Sequence, residues 1–354
     1  MITDRTWAQI NLSALRENYK SIAEYVKLPV IAIVKADAYG HDSLPVARAL
    51  AEENVDLFAV ACINEAKILR DGGIDKPILI LGVTYEERMA ELEKYNLIQS
   101  VPSVEYAEIL AKNAPNVAVH IKVDTGMGRL GVKNAEQVKK IAKILNVEGI
   151  FTHFADSDNE DLTYTDTQIE KFNEIIEESG VSFKYRHAAN SAAVIHCEKA
   201  LSFDAVRPGI ILYGIYPDGR YENIDLKPVM SVFTRICDVH DVKSGESISY
   251  GRTYVAERDM KVAVLPIGYA DGLPRSLSNK GKFYINGKLA PIVGRVCMDL
   301  CMVDVSEITV KTGDIAELFG ENISIDSVAE CADTIVYEIC TGIAKRVPRV
   351  CVDK

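Results

Sequence analysis

The sequence predicts a TIM-type (β/α)8 barrel, an α/β fold, followed by a smaller, mainly antiparallel β domain. Over roughly the first 210 residues, short apolar runs alternate with polar segments of helical period, which is typical of a parallel barrel sheet. Past about Lys227 the runs become β-branched and are separated by Gly, Asp and Asn turns. We therefore expect a barrel over residues 1–226 and a β domain over 227–354, with Thr6–Asn11 pairing in the β domain.

The barrel prediction depends on eight apolar runs, each short enough to form one buried strand. They cover residues 30–34, 57–60, 78–81, 97–101, 117–123, 147–153, 185–189 and 205–207. Helical segments are expected between them at residues 43–53, 64–71, 85–94, 104–112, 135–145 and 165–179, after a first helix with Ser13 as its N-cap. An open doubly wound sheet is the competing fold, but residues 36–40 lack the glycine fingerprint that normally follows its first strand.

The predicted β domain consists of short strands and turns. The expected strands lie within residues 229–242, 246–254, 261–267, 282–285, 288–296, 301–305, 314–319 and 323–325. Asn286-Gly287 is a strong hairpin signal because both residues tolerate a positive φ. A last helix is expected within residues 333–345, before Pro348.

Composition and charge exclude several classes of protein. The net charge of −11 argues against nucleic acid or an anionic membrane as a partner. No apolar stretch approaches the roughly 18 residues of a transmembrane helix, and the first residues lack a signal-peptide pattern. The eight cysteines are scattered without a CxxC pair, so we expect reduced thiols rather than disulfides or a metal site, as in the cytoplasm.

The first barrel run ends at Lys35, and polar residues follow it. A lysine at the C-terminal end of a buried strand has its stem in the interior, where desolvation lowers the pKa of the amine and makes it a nucleophile. A lysine that buries its stem and exposes its ammonium group is the structural alternative. Lys35 alone does not decide between these interpretations.

Further polar residues follow other strands at the same end of the predicted barrel, where TIM barrels carry their active sites. Lys122, Arg129 and His153 follow strands five and six. Strand seven leads to Ser191, and strand eight to Arg207, Gly209 and Ile210, in the two loops that commonly bind phosphate. Each residue also has a structural explanation, as a helix cap, a turn, a core histidine or an ion-pair partner. Together with Lys35 they indicate a phosphosugar aldolase or a pyridoxal phosphate enzyme.

The motifs that contain these residues resemble the alanine racemase family, the fold-type III pyridoxal 5′-phosphate enzymes with an N-terminal barrel and a C-terminal β domain. The resemblance covers almost the whole chain. In order, the motifs are VKADAYGH, VDTGMGRLGV, THFADSD, HAANSA, VRPGIILYG, ISYGRTY, PIGYADG, VGRVCMD and YEICTGIAKRVPRV. Any one of them is weakly specific, whereas nine in the family's order are strongly specific.

The resemblance implies a role for each matching residue. Lys35 would hold pyridoxal 5′-phosphate covalently, and Tyr250 would be the second catalytic base. Arg207 would face the pyridine nitrogen, Arg129 the phenolic oxygen, and His153 the ring. The phosphate of the cofactor would be bound by Tyr39, Ser191, Gly209, Ile210 and Tyr337, and Asn190 would be a further cofactor-binding residue. The substrate-binding residues would be Arg129, Met298 and Asp299.

The same resemblance implies an activity and an assembly. The expected reaction interconverts L-alanine and D-alanine with one base on each face of the substrate, and supplies D-alanine for peptidoglycan. The expected assembly is a head-to-tail homodimer, in which Tyr250, Met298 and Asp299 come from the other subunit. Lys122 matches a lysine that is carbamylated in some relatives, a change that would convert a cation into an anion able to orient Arg129.

Four other functions remain open at this stage. A serine racemase of the glycopeptide-resistance type shares the fold, but Tyr337 favours alanine because a large phenol narrows the pocket. A broad-specificity amino acid racemase is also consistent with the motifs. A barrel-type amino acid decarboxylase would leave Tyr250 without a role, and a non-enzymatic pyridoxal phosphate-binding protein would lack the β domain.

Overall fold

The computed structural model describes residues 4–217 and 223–353, which form two compact units. We call the first the barrel unit; within the described ranges it comprises Leu15–Ala38 and Asp42–Lys227. The second, the C-terminal unit, comprises Met1–Ala14, Tyr39–His41 and Pro228–Lys354 within the same limits. The short segment Tyr39–His41, directly after the Lys35 strand, thus belongs to the C-terminal unit.

The barrel unit contains a seven-stranded sheet in which all neighbouring strands are parallel. In sheet order the strands are Ile31–Ile33, Leu57–Val60, Ile78–Ile80, Ile98–Val101, Ala118–Lys122, Asn146–Phe151 and Tyr185–His187. The predicted eighth strand is reduced to two parallel bridges, from Ala205 to His187 and from Val206 to Val30. It stays short because Pro208, two residues later, has no N–H to donate. These bridges join the two edge strands, so the predicted barrel is confirmed.

The helices of this part of the chain alternate with the strands as predicted. They are Leu12–Val26, Ser43–Glu52, Ile63–Asp71, Ala90–Lys94, Val104–Asn113, Ala135–Ile144, Thr163–Ser179 and Ser191–His196, with shorter 3₁₀ turns at Glu86–Arg88, Glu198–Ser202 and Ile210–Tyr213. Among the described residues, no helix has the length and apolar character needed to cross a membrane.

The predicted cap of the first helix is wrong. The helix begins at Leu12, directly after the strand Thr6–Asn11, and the Asn11 Oδ1 accepts a hydrogen bond from the Ala14 N–H at 3.0 Å. Because the strand runs directly into the helix, Ser13 already lies in the first turn and Asn11 takes the capping position.

The C-terminal unit contains a six-stranded mixed sheet and two smaller antiparallel sheets. The order in the large sheet is Lys288–Pro291, Lys282–Ile285, Ile315–Phe319, Met230–Arg235, Thr6–Asn11 and Arg349–Val352, with only the last pair parallel. The smaller sheets are Asp238–Val242, Met260–Leu265 and Cys301–Asp304, and the pair Ser247–Ile248 and Tyr254–Val255. The mainly antiparallel prediction is confirmed, and Asn286-Gly287 forms a hairpin turn with φ values of 46° and 88°.

Two details near the end of the unit differ from expectation. Residues 323–325 do not form a strand, because the Ser324 Oγ accepts a hydrogen bond from the Ser327 N–H and caps the helix Ile325–Ala332. The next helix, Val336–Gly342, is shorter than predicted. Asp333 separates the two helices with a left-handed φ of 58°, a conformation that a short polar side chain tolerates.

Candidate active site

Lys35 begins a left-handed helical turn at the C-terminal end of the strand Ile31–Ile33. The backbone φ is positive at five consecutive residues, with values of 51° at Ala36, 56° at Asp37, 54° at Ala38, 53° at Tyr39 and 82° at Gly40. An L-residue in this region costs about 1–2 kcal/mol, so the surrounding fold must hold the turn in place.

Side-chain acceptors in the barrel unit fix the start of this turn. The Glu65 carboxylate accepts hydrogen bonds from the Ala36 N–H at 2.8 Å and the Ala61 N–H at 2.7 Å. The Asp37 carboxylate accepts one from the Ser43 N–H at 2.8 Å. The backbone that carries Lys35 is therefore bonded to two neighbouring segments, as a strained turn requires.

The amine of Lys35 has a lowered pKa. Burial is the largest cause, the positive charges of Arg129 and Arg207 add to it, and Glu65 opposes it. A larger neutral fraction makes an amine a better nucleophile, which supports the interpretation of Lys35 as a reactive lysine over a purely structural one.

Arg207 is 4% exposed and its guanidinium is held by neutral acceptors. Its Nη2 donates to the carbonyl oxygens of Thr152 and Ala188, both at 2.8 Å, and its Nη1 lies 3.0 Å from the Nδ1 of His187. Burial and the nearby Arg129 lower the pKa of Arg207 to about 9. The guanidinium is thus oriented without a carboxylate to neutralise it.

Phe151 forms an apolar platform below these charged groups. Its ring stacks on His187 with centroids 4.9 Å apart and an angle of 3° between the planes. The Lys122 Nζ lies 5.2 Å and the Arg207 Cζ 5.4 Å from the centroid of the same ring. The Lys122 and Arg207 side chains are therefore both within cation–π distance of one buried ring.

Lys122 ends the strand Ala118–Lys122 and donates a hydrogen bond from its Nζ to the Val123 carbonyl at 2.9 Å. Burial, followed by Arg207 and Arg129, lowers the pKa of Lys122 to about 7, while Asp124 acts in the opposite direction. A large fraction of this buried amine is neutral near neutral pH.

The predicted phosphate loops meet through a direct hydrogen bond. The Ser191 Oγ accepts a bond from the Gly209 N–H at 2.8 Å, and Ile210 follows as the first residue of the turn Ile210–Tyr213. This bond connects the loops that follow the seventh and eighth runs of the barrel, and both groups are among those expected to bind phosphate.

Asn190 and His153 lie in the same unit. The Asn190 Oδ1 caps the helix Ser191–His196 by accepting from the Ala193 N–H at 2.9 Å. The His153 Nδ1 lies 3.3 Å from the Arg207 Nη2, and burial together with the surrounding cations holds the pKa of His153 well below its usual value. His153 is therefore neutral at physiological pH.

The two tyrosines predicted to bind phosphate, Tyr39 and Tyr337, contact each other in the C-terminal unit, with ring centroids 6.0 Å apart. Burial raises the pKa of Tyr39, and Tyr337 contributes to the shift. Gly40 packs so closely on the helix Val336–Gly342 that a Cβ there would lie 2.3 Å from the Cys340 carbonyl oxygen. The end of the Lys35 turn and the helix that carries Tyr337 are thus packed together.

Tyr250 lies in a tight turn whose backbone is anchored to the loop before Met298. The φ values of Ser249 and Gly251, on either side of Tyr250, are 68° and 71°. The Ser249 Oγ donates to the Arg295 carbonyl at 2.7 Å, and a Cβ at Gly251 would lie 2.9 Å from the Arg295 guanidinium. The Tyr250 side chain itself is 71% exposed, and that of Met298 is 53% exposed.

Asp299, the other residue predicted to bind substrate, is ion-paired. Its carboxylate accepts a hydrogen bond from the Arg346 Nη2 at 2.7 Å, and the same guanidinium donates to the buried Asp271 at 2.8 Å. A carboxylate repels another carboxylate, so any contact of Asp299 with an amino acid's carboxylate has to use its backbone.

Sequence analysis missed three residues that support the barrel part of the site: Phe151, His187 and His120. His187 stands in the HAANSA motif, so the motif was a usable signal. Phe151 and His120 lie on the strands Asn146–Phe151 and Ala118–Lys122, and in the sequence they are indistinguishable from ordinary core residues.

Comparison with known proteins is consistent with this geometry. The profile described as "Alanine racemase, N-terminal domain" matches residues 10–217, and "Alanine racemase, C-terminal domain" matches residues 229–351. Alanine racemases from Halothermothrix orenii and Clostridium tetani are 45% and 46% identical to the chain. The alignments cover 98% and 97% of this chain and 97% and 94% of those proteins.

Solved structures give the same result. The alanine racemase of Clostridium difficile 630 has a TM-score of 0.95 at 36% identity, over 100% of this chain and 97% of that one. The structure of alanine racemase from Bacillus anthracis with bound L-Ala-P has a TM-score of 0.93 at 35% identity, over 99% and 96% of the two chains. On these matches, which span both units, the chain belongs to the alanine racemase family of isomerases.

Proposed function

We propose that the protein racemises alanine with pyridoxal 5′-phosphate, using Lys35 and Tyr250 as bases on opposite faces of the substrate. The observation that carries this proposal is the concentration of positive charge around Lys35. Arg129 and Arg207 lower the pKa of Lys35, and the same arginines lower the pKa of Lys122. A cluster of cations that destabilise one another fits an anionic group such as a phosphate or a phenolate.

The barrel residues suit this cofactor in their chemical groups as well as in their charge. When bound, pyridoxal 5′-phosphate supplies an electron-withdrawing ring that acidifies the Cα–H of an attached amino acid. Ser191, Gly209 and Ile210 offer a hydroxyl and backbone amides for its phosphate. Tyr39 and Tyr337 would also bind the phosphate, and Asn190 would be a further cofactor-binding residue. A phosphate would replace the hydrogen bond that now joins Ser191 and Gly209.

Arg207 would face the pyridine nitrogen as a donor that keeps its own proton. Unlike a carboxylic acid, a guanidinium would not transfer a proton to that nitrogen, so Arg207 would limit how strongly the ring withdraws electrons. This limit would favour rapid return of a proton to Cα over other reactions. Arg129 would lie at the phenolic oxygen, and the neutral His153 close to the ring.

Racemisation needs a proton removed from one face of Cα and returned to the other. Lys35 would serve one face, since its lowered pKa increases the fraction of unprotonated amine that can accept a proton. Tyr250 would serve the opposite face from a second copy of the chain, and its 71% exposure supports this. Met298, 53% exposed, and the Asp299 backbone would accompany it to the substrate carboxylate. The proposed assembly is therefore a homodimer with two shared sites.

Lys122 would carry a carbamate. Its neutral amine would attack CO₂, the nitrogen would lose one proton, and a carboxylate would replace the former cation. The pKa of about 7 supports this step because only the neutral amine has the required lone pair. The product would pair with Arg129 instead of repelling it.

The domain assignment and the cellular role are part of the same proposal. Residues 1–226 would carry most of the cofactor-binding residues, and residues 227–354 would supply Tyr337 and the second base. The D-alanine produced would serve peptidoglycan synthesis. All eight cysteines are free thiols, five of them at least partly exposed, which supports a reducing compartment such as the cytoplasm.

The test is exchange of the Cα proton in heavy water with L-alanine, D-alanine and L-serine. Wild type should exchange and racemise alanine faster than serine, and borohydride should fix the cofactor on Lys35. Tyr250→Phe should still exchange one alanine enantiomer but not the other, because one base remains. Tyr85→Phe, a control at a tyrosine that is 76% exposed, should match wild type. Wild-type exchange of both enantiomers by Tyr250→Phe would exclude the two-base mechanism, and a preference for serine would exclude the substrate assignment.

A further inference from the structure

Two buried histidines extend from Arg207 into the interior of the barrel. The Arg207 Nη1 lies 3.0 Å from the His187 Nδ1, and the His187 Nε2 lies 2.9 Å from the His120 Nδ1. His187 and His120 are both 0% exposed. Arg207, His187 and His120 thus form a continuous hydrogen-bonded chain, which we call the histidine chain.

The chemistry of Arg207 fixes the direction of every bond in the histidine chain. A guanidinium only donates, so the His187 Nδ1 must accept and the proton of that ring must lie on Nε2. The His187 Nε2–H then donates to the His120 Nδ1, which must also be unprotonated. The opposite tautomer of His187 would place an N–H against the Arg207 N–H.

His120 ends the histidine chain with a donor that has no acceptor. Within the part of the chain that the structure describes, its Nε2 has no hydrogen-bond partner. Its ring also occupies space that only a glycine leaves open, because a Cβ at Gly149 would lie 2.7 Å from three of its ring atoms. A buried polar group that lacks a partner is unfavourable, so an apolar residue would fill this place at lower cost.

We propose that His120 is a positioning residue for Arg207. It acts through its Nδ1, which accepts the His187 Nε2–H and so holds the His187 ring in the orientation in which its Nδ1 accepts from Arg207. The remaining N–H groups of Arg207 are then held in one orientation toward the cofactor ring. This inference rests on the proposed function for its catalytic consequence, but the hydrogen bond between the two histidines is a property of the chain alone.

Asparagine and leucine are the matched substitutions at His120. They have nearly the same size and leave the same space, but the Asn Oδ1 can accept a hydrogen bond where the His120 Nδ1 did. His120→Asn should therefore keep the His187 Nε2–H in a hydrogen bond, whereas His120→Leu should leave this N–H without an acceptor. The proton and nitrogen-15 chemical shifts of the His187 Nε2–H in the cofactor-free protein report this hydrogen bond directly.

With the cofactor bound, the same two variants should distinguish a positioning role of His120 from a purely structural role. His120→Leu should lower kcat for alanine by about tenfold, with KM changed by less than about twofold, because loss of one buried hydrogen bond misplaces Arg207. His120→Asn should stay within about threefold of wild type. Thermal unfolding should show that both variants fold, since they lose the same ring contacts and differ only in the one hydrogen bond.

Two results would overturn the proposal. One is a His187 Nε2–H that keeps its wild-type, hydrogen-bonded chemical shifts in His120→Leu, and the other is an equal loss of kcat in both variants. If His120→Leu does not fold, His120→Phe retains a flat ring over Gly149 without an acceptor and should show the same loss of the hydrogen bond. If wild type does not racemise alanine, the proposed function fails, but the NMR comparison still decides whether His120 accepts the His187 Nε2–H.

Discussion

Two candidate residues of the barrel unit, Arg207 and Lys122, are enclosed by the folded chain, whereas Tyr250 and Met298 of the C-terminal unit are presented at its surface. Arg207 and Lys122 are 4% and 6% exposed, and both lie against the Phe151 ring. Tyr250 and Met298 are 71% and 53% exposed. The exposed residues are nevertheless on fixed loops, because the Ser249 Oγ is bonded to the Arg295 carbonyl.

In the proposed site these two pairs of residues are prepared in different ways. Arg207 and Lys122 are desolvated and hydrogen-bonded before any ligand binds, and such preorganised charges are the most effective in electrostatic catalysis. Tyr250 and Met298 have uncovered side chains, and Tyr250 lies in an anchored turn, as the proposal requires of residues that complete a site on another copy.

The largest effect on activity is expected when two inactive variants are combined in one dimer. Lys35→Ala and Tyr250→Phe should each lose activity by at least about a hundredfold as homodimers. A hybrid dimer purified through two different tags should regain about half of the wild-type activity, because one of its two shared sites contains both an intact Lys35 and an intact Tyr250. Alanine racemisation by the purified hybrid is the measurement.

The matched control for this experiment is a hybrid of wild type with the double variant Lys35→Ala/Tyr250→Phe. Each of its shared sites lacks one base, so it should be as inactive as the single-variant homodimers. If each chain carried a complete site instead, this control would retain half the activity and the first hybrid would be inactive. The two designs therefore give opposite results for shared and unshared sites.

The second prediction concerns the turn that follows Lys35. Gly40→Ala should destabilise the protein more than Gly180→Ala does. Both glycines have a positive φ, of 82° and 58°, which costs an alanine about 1–2 kcal/mol at each position. Only at Gly40 does the new Cβ also meet backbone, 2.3 Å from the Cys340 oxygen, which adds about 1–3 kcal/mol of overpacking.

Urea unfolding of the two alanine variants measures this difference. A larger loss for Gly40→Ala would show that the Lys35 turn is held by contact with the helix that carries Tyr337. An equal loss of stability in the two variants would mean that this helix moves aside freely. The end of the turn would then not be held in place by the helix.

The third prediction is a pH dependence from Lys122. Below the native pKa of about 7 the lysine is charged in both states, so its desolvation cost is present in full. Between that value and the ordinary lysine pKa, the unfolded chain binds more protons than the native one. Stability therefore rises with pH over this range, by up to about 1.4 kcal/mol per pH unit.

Lys122→Met should remove this increase of stability with pH. It should stabilise the protein most at the lowest pH of the range. Urea unfolding of both proteins in CO₂-free buffer, from about pH 6 to about pH 9, isolates the contribution of Lys122. Adding bicarbonate should stabilise wild type at alkaline pH and leave Lys122→Met unchanged if the amine forms a carbamate. Equal slopes in the two proteins would show that Lys122 has an ordinary pKa.

The sequence was sufficient to predict the barrel, because its signals are local and repeated. Each buried strand is an apolar run such as Leu57–Val60, and the intervals have helical period. The residues after these runs were also predictable, since the ends of parallel strands converge. The eighth strand was predicted at residues 205–207, but its reduction to two bridges was not, because its pairing depends on closure of the ring through Val30 and Val206 rather than on its own three residues.

The left-handed turn and the buried supports of the site could not be predicted in this way. Four residues without any glycine, Ala36 to Tyr39, adopt a conformation that their own propensities oppose, and only tertiary contacts such as the Glu65 hydrogen bond hold it. Phe151 and His120 have the pattern of core residues, and their role depends on what lies against them. The helix Ile325–Ala332 was missed because its apolar start matched a strand as well as a helix.

The smallest effect is expected at Asp299, the exposed counterpart of the buried acid Asp271. Asp299→Asn should change the free energy of unfolding by less than about 1 kcal/mol, because its carboxylate is half exposed and Arg346 keeps its bond to Asp271. Since a carboxylate does not attract the substrate's own carboxylate, kcat for alanine should stay at the wild-type value and KM should fall slightly. Steady-state kinetics with urea unfolding, and Asp259→Asn as a control at another exposed ion pair, provide the measurement. A tenfold loss of kcat in Asp299→Asn alone would place the carboxylate itself in the reaction, and the C-terminal half would then contribute a charged group as well as a phenol.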